Sequence, residues 1–201
     1  MAEHYFSDRP RAAHAPRKFQ AVLRGRPLVF RTDSAVFSRT GVDRGTELLI
    51  ESLEVGPGES LLDLGCGYGP IGLAIVRAVE GARVVMTDVN RRAIVLSRRN
   101  AELNRLAVEV CEGPLYEPVA GMVFDHIASN PPIRAGKAVV HGIVDGAPAH
   151  LRAGGSLWLV ARTKQGAPSL RAKMQETFGN AEIVARSGGF RVLRSIRPGN
   201  P

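Results

Sequence analysis

Strand-like and helix-like segments alternate along most of this chain, and this alternation limits the folds that it can adopt. Short apolar runs predict five strands, at residues 60–67, 82–88, 107–113, 122–130 and 155–163. Segments with a helical spacing of apolar residues lie beside them, at residues 43–55, 71–81, 90–106, 137–151 and 167–179. The alternation predicts an α/β fold, in which helices cover both faces of a parallel sheet.

The C-terminal part of the chain adds a hairpin to this pattern. AEIVARS and FRVLRSI, at residues 181–187 and 190–196, are separated by Gly188 and Gly189, a spacing typical of a β-hairpin. We therefore expect a mostly parallel sheet of seven strands with an antiparallel C-terminal hairpin strand.

Two other segments are less regular. Residues 21–32 predict a further hairpin that turns on Gly25 and Pro27. The helix at residues 137–151 is expected to be weak, because three helix-disfavouring residues interrupt it: Gly142, Gly146 and Pro148.

Composition narrows the class of protein. Hydrophobic residues make up 44% of the 201 residues and charged residues 23%, which is ordinary for a soluble domain. No run approaches the ~20 apolar residues of a membrane helix, and the N-terminus lacks the apolar core of a signal peptide. Cys66 and Cys111 do not form a disulfide framework or a metal-ligand spacing. We expect a cytoplasmic protein without a membrane partner or a metal.

The charge balance favours an acidic partner. Lysine and arginine number 27 against 19 acidic residues, which gives a net charge of +8 and a pI near 10.3. A basic surface attracts polyanions such as nucleic acid. A mildly basic protein without such a partner remains an alternative.

A glycine-rich loop follows the first core strand in LLDLGCGYGPIG, residues 61–72. Gly65, Gly67 and Gly69 permit a sharp turn and a close approach of backbone to a ligand. The next helix points its N-terminus at that ligand, and Asp88 follows 19 residues after Gly69 at the end of the second core strand. A carboxylate there can accept both hydroxyls of a ribose, so the pattern predicts an adenosine-containing cofactor.

The same loop also matches the dinucleotide fingerprint G-x-G-x-x-G in GYGPIG. Two residues argue against a pyrophosphate. Asp63 places a negative charge just before the turn, and Pro70 removes one amide from the helix start. A cofactor with a cationic part, such as an ammonium or a sulfonium, fits better. The alternative for Asp63 is a structural one, in which it caps the amides of its own loop.

An unusual turn ends the fourth core strand, in HIASNPPIRAGK at residues 126–137. Prolines end a strand because they donate no backbone hydrogen bond. The carboxyl ends of parallel strands meet at one edge, so Asn130 and the glycine loop are expected to line one crevice. A plain Asn-Pro turn is the alternative.

The ordered set DLGCGYG, Asp88 and NPPI resembles the class I S-adenosylmethionine-dependent methyltransferases that methylate nitrogen. More closely, the chain resembles the methyltransferase small family, which includes guanine-N2 methyltransferases of 16S ribosomal RNA. The segments TDSAVFS, VDRGT, TKQGAPSL and GGFRVLRS extend this likeness over nearly the whole chain. The resemblance implies a Rossmann-like methyltransferase fold in a single domain, residues 1–201. Residues 43–197 would form the catalytic core, and residues 1–42 an extension packing on or near the active site.

The resemblance also implies roles for individual residues. The catalytic turn would comprise Asn130, Pro131, Pro132 and Ile133. The residues binding S-adenosylmethionine would be Asp63, Gly65, Cys66, Gly67, Gly69, Asp88, Val89, Pro114, Leu115 and Asn130. Substrate contacts are expected from Phe37, Ser38, Arg134, Lys137, Lys164 and Gln165.

Two positions depart from the family pattern. Ile133 stands where many amino-methylating enzymes carry an aromatic residue that stacks on the base. Pro114 stands where the pattern has an acid that accepts the adenine amino group. We expect Phe37 to stack on the base and backbone groups near Pro114 and Leu115 to hold the adenine.

The expected function is methylation of an exocyclic amino group, at guanine N2 of ribosomal RNA, with S-adenosylhomocysteine as the product. The expected partner is ribosomal RNA or the small ribosomal subunit, bound by a monomer or a weak homodimer. Two alternatives remain open. One is a protein glutamine-N5 methyltransferase, which shares the Asn-Pro-Pro turn. The other is a catalytically silent module that binds RNA or a dinucleotide.

Overall fold

A computed structural model describes residues 15–34, 36, 38, 41–133 and 136–199 of the protein. The strands in this part of the chain are β1 (Arg17–Leu23), β2 (Arg26–Thr32), β3 (Ser60–Leu64), β4 (Arg83–Asp88), β5 (Glu109–Glu112), β6 (Phe124–Ser129), β7 (Leu151–Arg162), β8 (Glu182–Ser187) and β9 (Phe190–Ile196). The helices are α1 (Arg44–Ser52), α2 (Pro70–Ala78), α3 (Arg91–Asn104), α4 (Lys137–His150) and α5 (Ala167–Phe178).

Seven strands form one sheet in the order β5-β4-β3-β6-β7-β9-β8. The first five in this order are parallel, whereas β9 runs antiparallel to both β7 and β8. The predicted α/β fold with an antiparallel C-terminal hairpin is therefore confirmed. The strand order reverses between β3 and β6, and ligands of open α/β sheets bind beyond the carboxyl ends of the strands at such a point.

The core lies on both faces of this sheet because successive strand residues point to opposite sides. Leu61 of β3 and Trp158 of β7 pack in the layer that contains α1, α2 and the β1–β2 hairpin. Leu62 of β3 and Phe124 of β6 pack in the layer that contains α4 and α5. All five residues of β3 are buried, as expected for the central strand of a parallel sheet.

The N-terminal hairpin forms as predicted, but its turn differs in one residue. β1 and β2 are antiparallel and connect through Arg24 and Gly25, both with positive φ. Pro27 is not part of the turn: it lies within β2, where it pairs with Val22. Two residues with positive φ match the twist of a tight hairpin, which makes Pro27 unnecessary for the turn.

Two asparagines of α3 cover the free edge of β2. Asn100 accepts the N–H of Arg31 at 2.7 Å and donates to its carbonyl at 3.0 Å. Asn104 does the same with Val29, at 2.9 and 2.7 Å. Residues four apart on a helix rise about 6 Å and alternate strand residues about 6.7 Å, so this spacing fits a strand edge. Side-chain amides thus replace a neighbouring strand and fix the hairpin on the domain.

The predicted interruption of α4 is wrong, because the helix runs without a break from Lys137 to His150. Its glycines serve close packing instead. A Cβ on Gly142 would lie 2.8 Å from a methyl carbon of Leu115, and one on Gly146 would lie 2.6 Å from the ring of Tyr116. Pro148 lies in the last turn, where packing of the helix against the sheet outweighs the lost hydrogen bond.

Each helix in the described part of the chain is too short or too polar to span a membrane.

Candidate active site

Three strand ends bring the predicted site residues into one row. The register pairs Leu64 of β3 with Thr87 of β4, and Asp63 with Ala128 of β6. Continuing this register places Gly65 between Asp88 and Asn130. Two strand spacings separate the outer residues, so their backbones lie about 10 Å apart. That span suits one ligand crevice, although a plain Asn-Pro turn at the end of β6 would have the same register.

The glycine loop is folded by hydrogen bonds to the end of β4. The amides of Gly65 and Cys66 both donate to the carbonyl of Thr87, at 2.8 and 2.9 Å. Gly65, Gly67 and Gly69 have φ values of +75°, +59° and +91°, a region that disfavours side chains. Cys66 is a buried small residue within the loop, and burial raises the pKa of its thiol.

Asp63 is fully buried at the base of this loop. Its Oδ2 accepts the amide of Gly72 in the first turn of α2 at 2.9 Å, so it does cap a backbone amide as the structural alternative supposed. Its Oδ1 is also buried, and within the described residues it has no hydrogen-bond partner. Burial is the main reason why the pKa of Asp63 is raised to about 7; the Gly72 hydrogen bond opposes the rise and the nearby charge of Asp88 adds to it.

The negative charge of the buried Asp63 carboxylate distinguishes between the cofactors that could bind over the loop. A cationic group bound over the glycines would compensate the charge, whereas a pyrophosphate would be repelled by it. The residues present therefore fit S-adenosylmethionine, which carries an ammonium and a sulfonium, better than a dinucleotide.

Asp88 organises the edge beside the loop. Its Oδ2 accepts the amide of Gly67 and its Oδ1 that of Asn90, each at 2.8 Å. Burial raises the pKa of Asp88, against the effect of these hydrogen bonds. Asn90 caps α3 by accepting the amides of Arg92 and Ala93.

The segment after β5 reaches the same edge. The amide of Gly113 donates to the carbonyl of Asp88 at 3.0 Å, which brings Pro114 and Leu115 beside Val89. The carbonyl of Pro114 accepts the amide of Glu117, which uses one of its two lone pairs.

The Asn130 turn has a rigid backbone. The amide of Ile133 donates to the carbonyl of Pro131 at 2.8 Å, closing a three-residue turn with Pro132 at its centre. The proline rings fix φ at both positions. The hydrogen bond from Ile133 uses one of the two lone pairs on the Pro131 carbonyl oxygen and leaves the other for another donor.

The side chain of Asn130 is held by the start of α1. Its Nδ2 donates to Thr46 Oγ1 at 2.9 Å and to Asp43 Oδ2 at 3.3 Å. In the described part of the chain, Asn130 Oδ1 makes no hydrogen bond. Sequence reasoning predicted a helix beginning near Asp43 but missed this contact, because the local signal of a helix cap does not reveal a partner 87 residues away.

Four of the predicted substrate residues are described by the structure: Ser38, Lys137, Lys164 and Gln165. Ser38 Oγ donates to the carbonyl of Gly41 at 2.5 Å, and Tyr68 of the glycine loop donates to the same carbonyl at 3.3 Å. Ser38 is thereby placed beside the loop. Phe37 and Arg134 lie outside the described residues.

The other predicted substrate residues that the structure describes are exposed. Lys137 begins α4 and is exposed, as are Lys164 and Gln165 in the short turn before α5. A Cβ on Gly166 would lie 3.5 Å from a side-chain carbon of Ile133, which brings this turn against the Asn130 segment.

In the part of the chain that the structure describes, histidine and cysteine side chains do not form a second centre. His126 lies within β6, away from the strand ends that carry the site. Its Nε2 lies 2.8 Å from Glu59 Oε2 and its Nδ1 lies 2.8 Å from Ser156 Oγ, so both ring nitrogens have hydrogen-bond partners. Across the described ranges, groups of three or more His, Cys, Asp or Glu side chains arranged to hold a metal ion are absent.

Comparisons with known proteins identify the family that the chain resembles. The model of the methyltransferase small domain family matches residues 27–194. The chain is 41% identical over 198 residues to the uncharacterized protein YbxB of Bacillus subtilis, covering 97% of this chain and 98% of that protein. It is 33% identical over 174 residues to ribosomal RNA small subunit methyltransferase C of Erwinia tasmaniensis, covering 85% of this chain and 50% of the relative.

A solved structure with a bound nucleoside is also similar. The 16S rRNA N2 G1207 methyltransferase of T. thermophilus, in complex with AdoMet and guanosine, superposes with a TM-score of 0.83 at 28% identity. The match covers 94% of this chain and 52% of that one, so the chain spans about half the length of these methyltransferases. The predicted fold, the methyltransferase class and the cofactor S-adenosylmethionine are confirmed. The chain belongs to the methyltransferase small domain family of class I S-adenosylmethionine-dependent methyltransferases.

Proposed function

We propose that this protein methylates the exocyclic N2 amino group of a guanine in ribosomal RNA of the small subunit. One observation carries the proposal: the side-chain amide of Asn130 is fixed beside the glycine loop, and no described residue donates a hydrogen bond to its oxygen. S-adenosylmethionine, when bound, would supply an electrophilic methyl group and leave as S-adenosylhomocysteine.

The Asn130 turn would solve the chemical problem of this substrate. The lone pair of an exocyclic amine is delocalised into the base, so the nitrogen is a weak nucleophile. Asn130 Oδ1 and the Pro131 carbonyl would each accept one N–H bond, which turns the lone pair out of the ring plane. The nitrogen then bonds to the methyl carbon as the carbon–sulfur bond breaks, and the nitrogen loses its proton to water. The proposal assigns catalysis to positioning and needs no strong general base.

The cofactor would lie along the row of strand ends. We assign the ribose hydroxyls to Asp88, the methionine part to the loop of Gly65, Cys66, Gly67 and Gly69, and the adenine to Val89, Pro114 and Leu115. Asp63 would compensate the cationic part from beneath. Ile133 would contact the base through its aliphatic side chain, and we retain Phe37 as the stacking residue.

A basic face supports RNA as the substrate. Lys18 and Arg31 lie directly opposite each other on the exposed face of the β1–β2 hairpin. Like charges in such a pair destabilise a hairpin, and neither side chain forms an ion pair with another described residue. Arg99 is exposed on α3, next to Asn100, which binds the edge of β2. Phosphates bound along this face would offset the repulsion.

Lys137, Lys164 and Gln165 would contact phosphates on the other side of the turn, with Ser38 and Arg134 near the base. We further propose one domain over residues 1–201, with residues 1–42 as an extension near the site and 43–197 as the catalytic core. A cytoplasmic location and a monomer or weak homodimer complete the proposal.

Labelling with radioactive S-adenosylmethionine tests the substrate class. The purified protein is incubated with separated RNA and protein fractions and with 16S ribosomal RNA transcribed in vitro. We expect label in the transcript, recovered as N2-methylguanosine after digestion. Label in a protein fraction as methylglutamine would favour the glutamine alternative, and cofactor binding without any transfer would favour a silent module.

The variant Asn130→Ala tests the assigned role of the turn. We expect methyl transfer to be abolished while the Kd for S-adenosylmethionine changes by no more than about twofold, because Asn130 would act mainly on the acceptor. Transfer at the rate of the unsubstituted enzyme would contradict the role of Asn130.

A further inference from the structure

We propose that Asp43 and Thr46, at the start of α1, are positioning residues that hold the Asn130 amide in one orientation and strengthen its oxygen as an acceptor. The inference rests on the proposed function of Asn130, and it adds two residues to the machinery of transfer.

Donor and acceptor chemistry fixes the orientation. A carboxylate only accepts hydrogen bonds, so the Asn130 atom that faces Asp43 Oδ2 must be the NH₂ group. The Thr46 hydroxyl donates its single hydrogen to the same Asp43 oxygen, so its Oγ1 presents a lone pair to Asn130 Nδ2. A flipped amide would bring its oxygen against two acceptors. The carbonyl oxygen of Asn130 is therefore left for the substrate.

Asp43 is itself immobilised by capping α1. Its Oδ1 accepts the amides of Gly45 at 2.9 Å and Thr46 at 3.3 Å, while Oδ2 serves Thr46 and Asn130. The helix start is also fixed against the sheet, because a Cβ on Gly45 would lie 2.6 Å from the ring of Phe190. A packed helix terminus thus holds the carboxylate, and the carboxylate holds the amide.

The charge of Asp43 adds to this effect. A hydrogen bond to a carboxylate polarises the amide and makes its oxygen a stronger acceptor. Transfer also places positive charge on the acceptor nitrogen before its proton leaves. A carboxylate one side chain away from that nitrogen stabilises the developing charge.

Substitutions at Thr46 separate this role from helix capping. Thr46→Val removes the hydroxyl but keeps the volume, and Thr46→Ser keeps the hydroxyl. With 16S ribosomal RNA transcribed in vitro, we expect Thr46→Val to lower kcat by about 10- to 100-fold, with the Kd for S-adenosylmethionine within about twofold. Thr46→Ser should stay within about threefold. Ser52→Ala is the matched control, because its hydroxyl bonds the carbonyl of Leu48 at the far end of the same helix.

A spectroscopic readout is independent of turnover. The side-chain ¹⁵N–¹H signals of Asn130, identified by their loss in Asn130→Ala, should shift and exchange faster in Thr46→Val but not in Ser52→Ala. Unchanged Asn130 signals, an unaltered kcat in Thr46→Val, or a kcat that Thr46→Ser fails to restore would each overturn the proposal. If no RNA is methylated at all, the proposed function fails, while the NMR signals still decide whether Thr46 holds the amide.

Discussion

Because the Asp63 carboxyl group is buried, the release or uptake of a proton on cofactor binding reports the sign of the charge that the cofactor places over the glycine loop. Burial raises the pKa of Asp63 to about 7, so near pH 6 the free protein holds a proton that the carboxylate must lose to become charged. A cation bound over the glycine loop lowers this pKa, and binding then releases the proton. An anionic pyrophosphate raises the pKa instead, and binding takes up a proton.

The size of the effect follows from the ionised fraction. With a pKa near 7, Asp63 is about one-tenth ionised at pH 6 and about nine-tenths at pH 8. If the cationic cofactor holds Asp63 ionised, its affinity should rise about tenfold between these two values of pH. The affinity of the Asp63→Asn variant should lack this component, because its side chain does not titrate.

Titration calorimetry in two buffers of different ionisation enthalpy measures both the number of protons released on binding and the affinity for the cofactor. We expect net proton release with S-adenosylmethionine near pH 6.5, reduced in Asp63→Asn, and no tight binding of NAD. The variant and the unsubstituted protein share every titration of the ligand, so their difference isolates Asp63. Proton uptake on binding S-adenosylmethionine, or an equal pH dependence in both proteins, would refute the reasoning.

The same carboxylate makes folding depend on pH. Because the folded pKa lies above the ordinary value of 3.8, the folded state binds the proton more tightly, and stability is lost as pH rises from about 4 through 7. Between pH 5 and pH 8 the stability of Asp63→Asn relative to the unsubstituted protein should improve by about 3 kcal/mol. Urea unfolding without cofactor at the two pH values measures this difference, and a difference that does not change with pH would show that Asp63 is already charged in the free protein.

Two further predictions concern the hairpin. Asn100→Ala removes the hydrogen bonds to Arg31 and to the Tyr68 carbonyl, and should cost about 2–4 kcal/mol in urea unfolding, whereas Glu102→Ala on the exposed face of the same helix should change stability by less than about 0.5 kcal/mol. Equal effects of the two substitutions would contradict the edge-covering role of Asn100. Arg31→Gln should weaken RNA binding and reduce the slope of log affinity against log salt by about 1, while Arg83→Gln at the opposite edge of the sheet should leave the slope unchanged. A slope unaffected by Arg31→Gln would remove the hairpin from the RNA surface.

Local patterns were sufficient to predict most of the fold. Short apolar runs located all seven strands of the main sheet, and the helical spacing from residue 90 onward located α3. The prediction at α4 is wrong because it rests on the low helix propensity of glycine, whereas Gly142 and Gly146 are where Leu115 and Tyr116 pack closest. Glycine propensity is a local quantity, and the packing that outweighs it belongs to residues about 30 positions earlier in the chain.

In the site, too, local sequence patterns predict some features, and packing between distant residues decides the others. Asp63, Asp88 and Asn130 could be expected to lie together because each lies at or just beyond the end of a recognisable strand, and the ends of parallel strands meet at one edge. The contact of Asn130 with Asp43 could not, because it depends on how α1 packs across the sheet. The cap by Asp43 is visible in VDRGT, but the second oxygen of a capping carboxylate has no sequence signature.

These contacts divide the rigidity of the Asn130 turn between backbone and side chain. Pro131 and Pro132 fix the backbone, but a proline cannot restrict the rotation of a preceding carboxamide, whose terminal torsion is broad. In part of the population, an amide free to rotate would turn its NH₂ group toward the substrate. That NH₂ group would repel the substrate N–H group, from which the amide oxygen has to accept a hydrogen bond. The hydrogen bonds from Asn130 to Asp43 and Thr46 remove that freedom. The two prolines and the cap of α1 are therefore complementary, and loss of either should lower transfer even though the other remains intact.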